Sequence, residues 1–549
     1  MSRLVTRHRE TKVDPVLTRI VETDRIPWYK KPNLRYLYLM ASPGSARTPY
    51  KCTWLLPTCM GVEITSGFDS QLINALQIVP SWVTYFGNPQ GTFQGFISAS
   101  YSLGAVLSLP FVPMINRRYG RRWSIFLGSL VMVGGSIVQG FSQHVAMYIM
   151  ARIILGFGIP VCIVAGSSLI GELAYPKERP VMTSLFNISY FFGQIIAAGI
   201  CRATNQIASD WGWRVPSLLQ IAPSLLQISF VLFLPESPRW LIANDREEEA
   251  FEVLSTYHAE GNTNSDFVKA EMAQIRTTIA IEYEASHETW ADLLRTSGMR
   301  RRALVTMALG LFTQWSGNTL ISYYLGDLLE MVGFKDSTTK NNINLVNSCW
   351  SLCMALLTAS TVRLFRRRVM YMTCTIALLC VYSAWTISMR YAVHAADTGY
   401  KNDAAAWATL IFIFLYSPAY NIGYNALTYT YLVELWPYAL RSRGISFFQL
   451  FGRVSGFFTT FVNPIGIDSI SWKYLLMYVC LLVFENIFVF LFFPETANKT
   501  LEELTFLFED QELADRATRA VEKAVQHRQT PAWERGFTWT TIVSGSRRG

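Results

Sequence analysis

The chain has 549 residues and a formal net charge of +9, with 51% apolar, 14% aromatic and only 16% charged residues. A soluble chain carries roughly 25% charged residues, so this one cannot cover itself in polar surface, and a large part of it must face lipid. The composition excludes a disordered chain, a collagen-like repeat and a small disulfide scaffold.

The N-terminal stretch MSRLVTRHRETKVDP is polar, with no apolar run behind it, so no cleaved signal is expected. A helix needs about 20 apolar residues to cross a hydrocarbon core of roughly 30 Å. Twelve windows of that kind follow, near 52–72, 92–114, 123–142, 147–171, 181–201, 214–234, 303–324, 342–362, 369–389, 405–433, 443–464 and 472–493. They divide the chain into a tail (1–51), a six-helix bundle (52–234), a linker (235–302), a second bundle (303–493) and a second tail (494–549). The linker, with Arg246-Glu247-Glu248-Glu249 and little Pro or Gly, reads as short helices lying under the bundle. The second tail reads as a charged helix from Leu501 to about Gln529.

With both tails on one side, that side collects 39 of the 48 lysines and arginines, the opposite loops hold seven, and Arg152 and Arg453 fall within spans. This bias puts both termini in the cytoplasm. It accounts for the net charge as topology, so no nucleic-acid partner is implied. The nine cysteines lie mostly in spans, none in a CxxC pair, and read as small buried apolar residues rather than metal ligands. There is no Gly-rich phosphate loop, zinc spacing or nucleophile elbow, so neither an enzyme nor a cofactor is expected.

The chain repeats itself. Asn116-Arg117-Arg118-Tyr119-Gly120-Arg121-Arg122 follows the second span, and Arg363-Leu364-Phe365-Arg366-Arg367-Arg368 follows the eighth. Glu172 with Arg179 closes the fourth span, and Glu434 with Arg441 closes the tenth. Pro235-Glu236-Ser237-Pro238-Arg239-Trp240-Leu241 follows the sixth, and Pro494-Glu495-Thr496 the twelfth. Six spans have been duplicated in the same orientation. Parallel repeats of this kind make two bundles that rock about a site near mid-membrane.

These strings carry a resemblance. With Trp211-Gly212-Trp213-Arg214-Val215-Pro216-Ser217 and Gln314-Trp315-Ser316-Gly317-Asn318, running on to Tyr323-Tyr324, the chain resembles the sugar porter family of the major facilitator superfamily, within it the fungal lactose permease-like branch, from about Trp28 to about Leu504. The resemblance implies an all-α membrane protein of twelve transmembrane helices in two six-helix bundles. It implies a monomer in the plasma membrane that imports a hexose, pentose or disaccharide with protons. A transporter of a non-sugar solute such as a fungal secondary metabolite or polyhydroxy acid, possibly an exporter, stays open, and more remotely a non-transporting nutrient sensor.

Ionisable side chains at bilayer depth cost roughly 2.5–3.5 kcal/mol each, so they need partners or a role. Asp69 and Arg152 sit at similar depths in the first and fourth spans, as a structural ion pair or as a proton switch: a carboxylate parted from its arginine by rocking can take a proton. The resemblance matches them to the family's proton-coupling pair. Arg453 in the eleventh span either pairs with Glu485 in the twelfth or faces the cavity, where it favours a carboxylated solute. Glu63 has no obvious partner and is a candidate to face the cavity.

A sugar is held by amides, hydroxyls and aromatic faces. Gln314 and Asn318 are four apart and share a helix face. The resemblance maps Gln314, Asn187, Asn347 and Tyr429 onto substrate contacts, with Phe68 and Tyr324 as aromatic walls. Gln194 lies on the face of Asn187, two turns away. The resemblance further implies a cytoplasmic gate of Arg117, Arg121, Glu172, Arg179, Glu236, Arg239, Glu434, Arg441 and Glu495. The chain departs from it at Asn116 and Val362, where the family has aspartates, at Pro180 and Phe365, where it has glycines, and at Thr313 and Thr319, where classical sugar porters have glutamine and asparagine.

Overall fold

A computed structural model describes residues 31, 33, 55–175, 179–285, 293–361, 365–397, 402–436 and 440–496. The N-terminal tail apart from two residues, the charged helix after Leu501, Cys52 and Val362 lie outside these. So do the side chains of Arg179, Pro180 and Arg441.

Among the described residues all regular structure is helical, and each predicted span falls on a helix or a broken pair. The first span is α1 (Leu55–Leu76). A short helix α2 (Pro80–Tyr85) leads to α3 (Gly91–Ser108). Helix α4 (Phe111–Gly140) carries the basic loop and the third span, and breaks at Gly120, where φ is 84° and ψ 177°. Then come α5 (Val145–Leu173), α6 (Arg179–Thr204) and a sixth span made of α7 (Trp211–Leu219) and α8 (Ile221–Val231). The linker holds α9 (Pro238–Ala243), α10 (Glu247–His258) and α11 (Asp266–Ala285). The seventh span is α12 (Ser297–Trp315) and α13 (Asn318–Met331), followed by α14 (Ser337–Thr361), α15 (Arg367–Asp397), α16 (Asp403–Tyr420), a π-turn (Asn421–Asn425), α17 (Ala426–Leu435), α18 (Arg441–Ile470) and α19 (Tyr474–Phe492).

Among the described residues, six stretches are long and apolar enough to cross a membrane on length and composition alone, namely Phe111–Gly140, Val145–Leu173, Leu185–Thr204, Arg367–Ala395, Asp403–Tyr429 and Arg443–Phe492. The last covers two predicted spans, which part at Ser471 (φ 49°). The remaining predicted spans are shorter, broken or richer in polar residues. Glu63, Asp69, Gln71 and Asn74 interrupt α1, and Asn341, Asn342, Asn344 and Asn347 interrupt α14. Spans that line a polar cavity give up apolar residues to do so.

The seventh span breaks where Gly317 adopts φ 92°, a left-handed conformation that side chains resist. A Cβ there would also lie 1.7 Å from the Tyr382 hydroxyl oxygen, so glycine alone fits.

The buried apolar side chains divide by half. One core runs from Leu293 to Phe493, and two others draw only on buried residues from Leu55 to Met272. The halves meet through α3 against α18 and α6 against α14. Leu130, Ile137, Ile387, Ile411, Phe458 and Ile487 are exposed on the outer faces. Water would penalise such a belt, and lipid accepts it. Cys59, Cys162, Cys201 and Cys374 are buried, but Cys349, Cys353, Cys380 and Cys480 are exposed. The expectation of burial fails for these four because lipid accepts a thiol as readily as the core does.

The repeat extends to hydrogen bonds at the basic end. Arg121 pairs with Glu172 at 3.1 Å, and Arg367 with Glu434 at 3.4 Å. Glu236 accepts the backbone N–H of Arg121 at 3.0 Å, and Glu495 that of Arg367, also at 3.0 Å. Ser237 donates to Glu172 as Thr496 donates to Glu434. Burial pushes the Glu236 carboxyl above its ordinary range, against the downward pull of the N–H groups of Ser237, Arg121 and Arg122.

Candidate functional site

A cavity of about 370 Å³ lies between the halves. Helix α1 gives it one polar face, with Glu63, Ser66, Ser70 and Asn74 at spacings of three and four. Asn187, Tyr190 and Gln194 come from α6 by the same spacing. Opposite stand Gln314 on α12, Asn318 at the start of α13, Asn347 on α14, Asn421 and Asn425 at the π-turn, Tyr429 on α17, and Gln449 and Arg453 on α18. Six of the eight residues expected to bind solute therefore share one cavity: Asn187, Gln194, Gln314, Asn318, Asn347 and Tyr429.

The other two do not reach it. Phe68 is buried in a core with Leu72, Trp82 and Trp213. Tyr324 is fully buried and its hydroxyl donates to the Thr460 carbonyl at 2.6 Å. Tyr323 lines the cavity instead, because adjacent helical residues point about 100° apart.

Asp69 and Arg152 lie one shell behind the cavity wall. They form a buried ion pair, Nη1 to Oδ1 at 2.9 Å, with side-chain exposures of 2% and 0%. The Arg152 guanidinium stands 5.3 Å from the Tyr101 ring, which lines the cavity. Gln220, on the turn between α7 and α8, donates to the same Asp69 oxygen at 2.6 Å. Sequence reasoning missed Gln220. The signal was an amide inside an apolar span, one turn beyond the Trp213-Arg214-Val215-Pro216 string.

The expected pairing of Arg453 with Glu485 is not formed. Glu485 is buried and accepts from the Tyr424 hydroxyl at 3.0 Å. Arg453 faces the cavity, as does Glu63.

Of the expected gate, Arg121, Glu172, Glu236, Glu434 and Glu495 form the networks described above. The Arg117 carbonyl accepts from the Trp240 indole at 2.9 Å, and Arg239 sits beside that indole in sequence. Arg367 joins the same network, through Glu434 and Glu495, and was not expected.

The halves are tied together at the end away from the basic loops. Asn344 accepts from Gln71 at 2.6 Å and from Asn74 at 3.1 Å, Gln94 donates to Asp327 at 2.8 Å, and Asn205 donates to Ser337 at 3.3 Å. At the basic end the ion pairs named above each lie within one half. Asn344→Ala removes two of the ties. It is expected to raise labelling of a cysteine placed at Ser348, in a cysteine-depleted chain, by an impermeant thiol reagent added from the tied side. Unchanged labelling would mean that these bonds do not hold that side shut.

Residues 54–508 match the family model described as "Sugar (and other) transporter". The chain belongs to this family. It is a membrane transporter of the major facilitator fold and not an enzyme. It is 28% identical over 464 residues to the MFS-type transporter oryC of Aspergillus oryzae, covering 82% of this chain and 84% of that one. It is 25% identical to the high-affinity glucose transporter of Kluyveromyces lactis, covering 81% and 82%. Its fold matches the inward-open xylose transporter XylE of E. coli with a TM-score of 0.67 at 22% identity, over 83% of this chain and 99% of that one.

Proposed function

We propose that the chain imports a sugar together with protons across the plasma membrane, by alternating access. The observation that carries this is the amide- and tyrosine-lined cavity between two separately packed halves, with the Asp69–Arg152 pair directly behind its wall. Rigid halves with separate cores can rock without repacking either core. Asn187, Gln194, Gln314, Asn318, Asn347 and Tyr429 supply donors and acceptors for hydroxyl groups, and Tyr190, Tyr323 and Tyr420 supply faces for C–H surfaces. The ties through Asn344, Gln94 and Asn205 support reading the described state as open to the cytoplasm, given the basic bias that orients the chain. The gate residues would close that side in the opposite state.

The relatives favour the same reading. Glucose transporters of Kluyveromyces lactis and Candida albicans are among them, and one solved relative is described as a proton:xylose symporter bound to a deoxyglucose derivative.

The test is uptake of labelled glucose, xylose, lactose and cellobiose at pH 5 and pH 7.5 in a yeast without its own hexose carriers. Acid-stimulated uptake of one sugar is expected. Gln314→Ala is expected to raise KM about tenfold with kcat unchanged, the loss of one hydrogen bond of about 1.4 kcal/mol. No uptake of any sugar, with the protein at the cell surface, would overturn the reading.

A further inference from the structure

The cavity holds more charge than a neutral sugar needs. Among its described lining residues, Glu63 and Arg453 are the only Asp, Glu, Lys, Arg or His side chains. They stand on opposite halves, on α1 and α18. Neither makes an ion pair or hydrogen bond with another described group, although each lies in the electrostatic reach of the other. The field of Arg453 also falls on Tyr101 and Tyr190 of the first half and on Tyr323 and Tyr429 of the second. These four tyrosines line the same chamber as Arg453, from both halves.

An arginine cannot shed its charge. A transport cycle seals the chamber from water, and a sealed cation without a counter-ion is strongly disfavoured. A neutral solute leaves Arg453 with Glu63 as its one charged neighbour among the described lining residues, across the chamber and not bonded to it. Guanidinium matches a carboxylate in charge and in its fork geometry. Glu63, an acceptor across the chamber, suits the hydroxyl hydrogens of the same solute.

We propose that Glu63 and Arg453 set the solute class as a polyhydroxylated carboxylic acid, such as a sugar acid. Arg453 holds the carboxylate and Glu63 accepts from the hydroxyls, while the amides of both halves take the rest. This rests on the reading of the same cavity as the transport site and puts a sugar acid in place of a neutral sugar as its preferred cargo.

The experiment uses the full chain in proteoliposomes, with labelled D-glucuronate, D-gluconate and D-glucose. Wild type is expected to carry an acid at least tenfold faster than glucose. Arg453→Gln is expected to lose acid transport and to spare or raise that of glucose, and Arg453→Lys to keep part of the preference. Glu63→Gln is expected to weaken all three solutes alike. In parallel, glucuronate or gluconate, and not glucose, is expected to raise the melting temperature of the purified wild type, which needs no variant to fold.

Glucose carried in preference, with the ratio unmoved in Arg453→Gln, would overturn the proposal and leave sugar transport standing. Equal loss of all solutes in Arg453→Gln would also overturn it, by making Arg453 part of the closure. Transport of none of the three, with no thermal shift, would overturn it too. The sugar reading itself is decided separately, by the wild-type uptake of the four neutral sugars.

Discussion

In proteoliposomes containing Asp69→Asn, a pH gradient is expected to drive no accumulation of solute, while exchange of labelled for unlabelled solute continues. The reason lies in what Asp69 touches. One of its oxygens takes both the Arg152 guanidinium at 2.9 Å and the Gln220 amide at 2.6 Å, and the other is buried without a partner. Under the proposed mechanism the first and fourth spans shift as the halves rock, the ion pair loosens and the carboxylate binds a proton. Asparagine keeps the shape and the bond to Gln220 but cannot ionise. A pH gradient equivalent to 100 mV supplies about 2.3 kcal/mol per proton, enough for a roughly 50-fold gradient of a solute carried one to one. The variant should fall from that order to no gradient.

A structural role predicts something different, and the two can be separated. Removing one partner of a buried pair leaves the other charge uncompensated, at about 3–5 kcal/mol. Asp69→Asn should therefore lower thermal stability, because Arg152 remains with exposed area near zero. Asp69→Asn combined with Arg152→Gln should recover that stability and still fail to accumulate solute. Restored accumulation in the double variant would reduce the pair to a device for burying two charges.

The backbone architecture was legible because lipid imposes a coarse rule. Apolar windows gave spans that fall on helices, and the duplicated basic and acidic strings recur at matched places, with the same hydrogen bonds, in the two halves. The Asp69–Arg152 contact was legible because depth along a helix follows from residue count. Side-chain direction was harder. Phe68 and Tyr324 were expected at the cavity, yet one packs into the core and the other bonds the Thr460 carbonyl, since a shift of one residue turns a side chain by about 100°. Glu485 and Arg453 have similar depths on neighbouring spans, and depth alone cannot say which way each points. Tyr424 captures Glu485, which leaves Arg453 to the cavity. The Asn421–Asn425 turn was invisible because its π geometry resets the helical phase.

The largest structural effect is expected from Gly67→Val. The first and fifth spans touch backbone to backbone through a reciprocal glycine contact. A Cβ on Gly67 would lie 1.9 Å from the Tyr190 carbonyl oxygen, and one on Gly193 would lie 2.1 Å from that of Ile64. Spans in lipid gain no hydrophobic drive from meeting each other, so close backbone approach between small residues is what holds them. The corresponding pair in the second half is looser, since a Cβ on Gly310 would stand 3.0 Å from the Phe448 carbonyl oxygen. Valine at 67 must push α6 away. That would pull Asn187, Tyr190 and Gln194 out of line and break the 2.7 Å bond between Ser70 and the Tyr190 hydroxyl. The expected outcome is loss of more than about 3 kcal/mol, beyond the usual range for overpacking because the obstacle is backbone, seen as absence from the cell surface. Gly199→Val is the matched control: it lies on α6 with nothing within 4 Å of its Cβ, and it should reach the surface and transport normally. If both variants traffic alike, the first and fifth spans are held by something other than this contact.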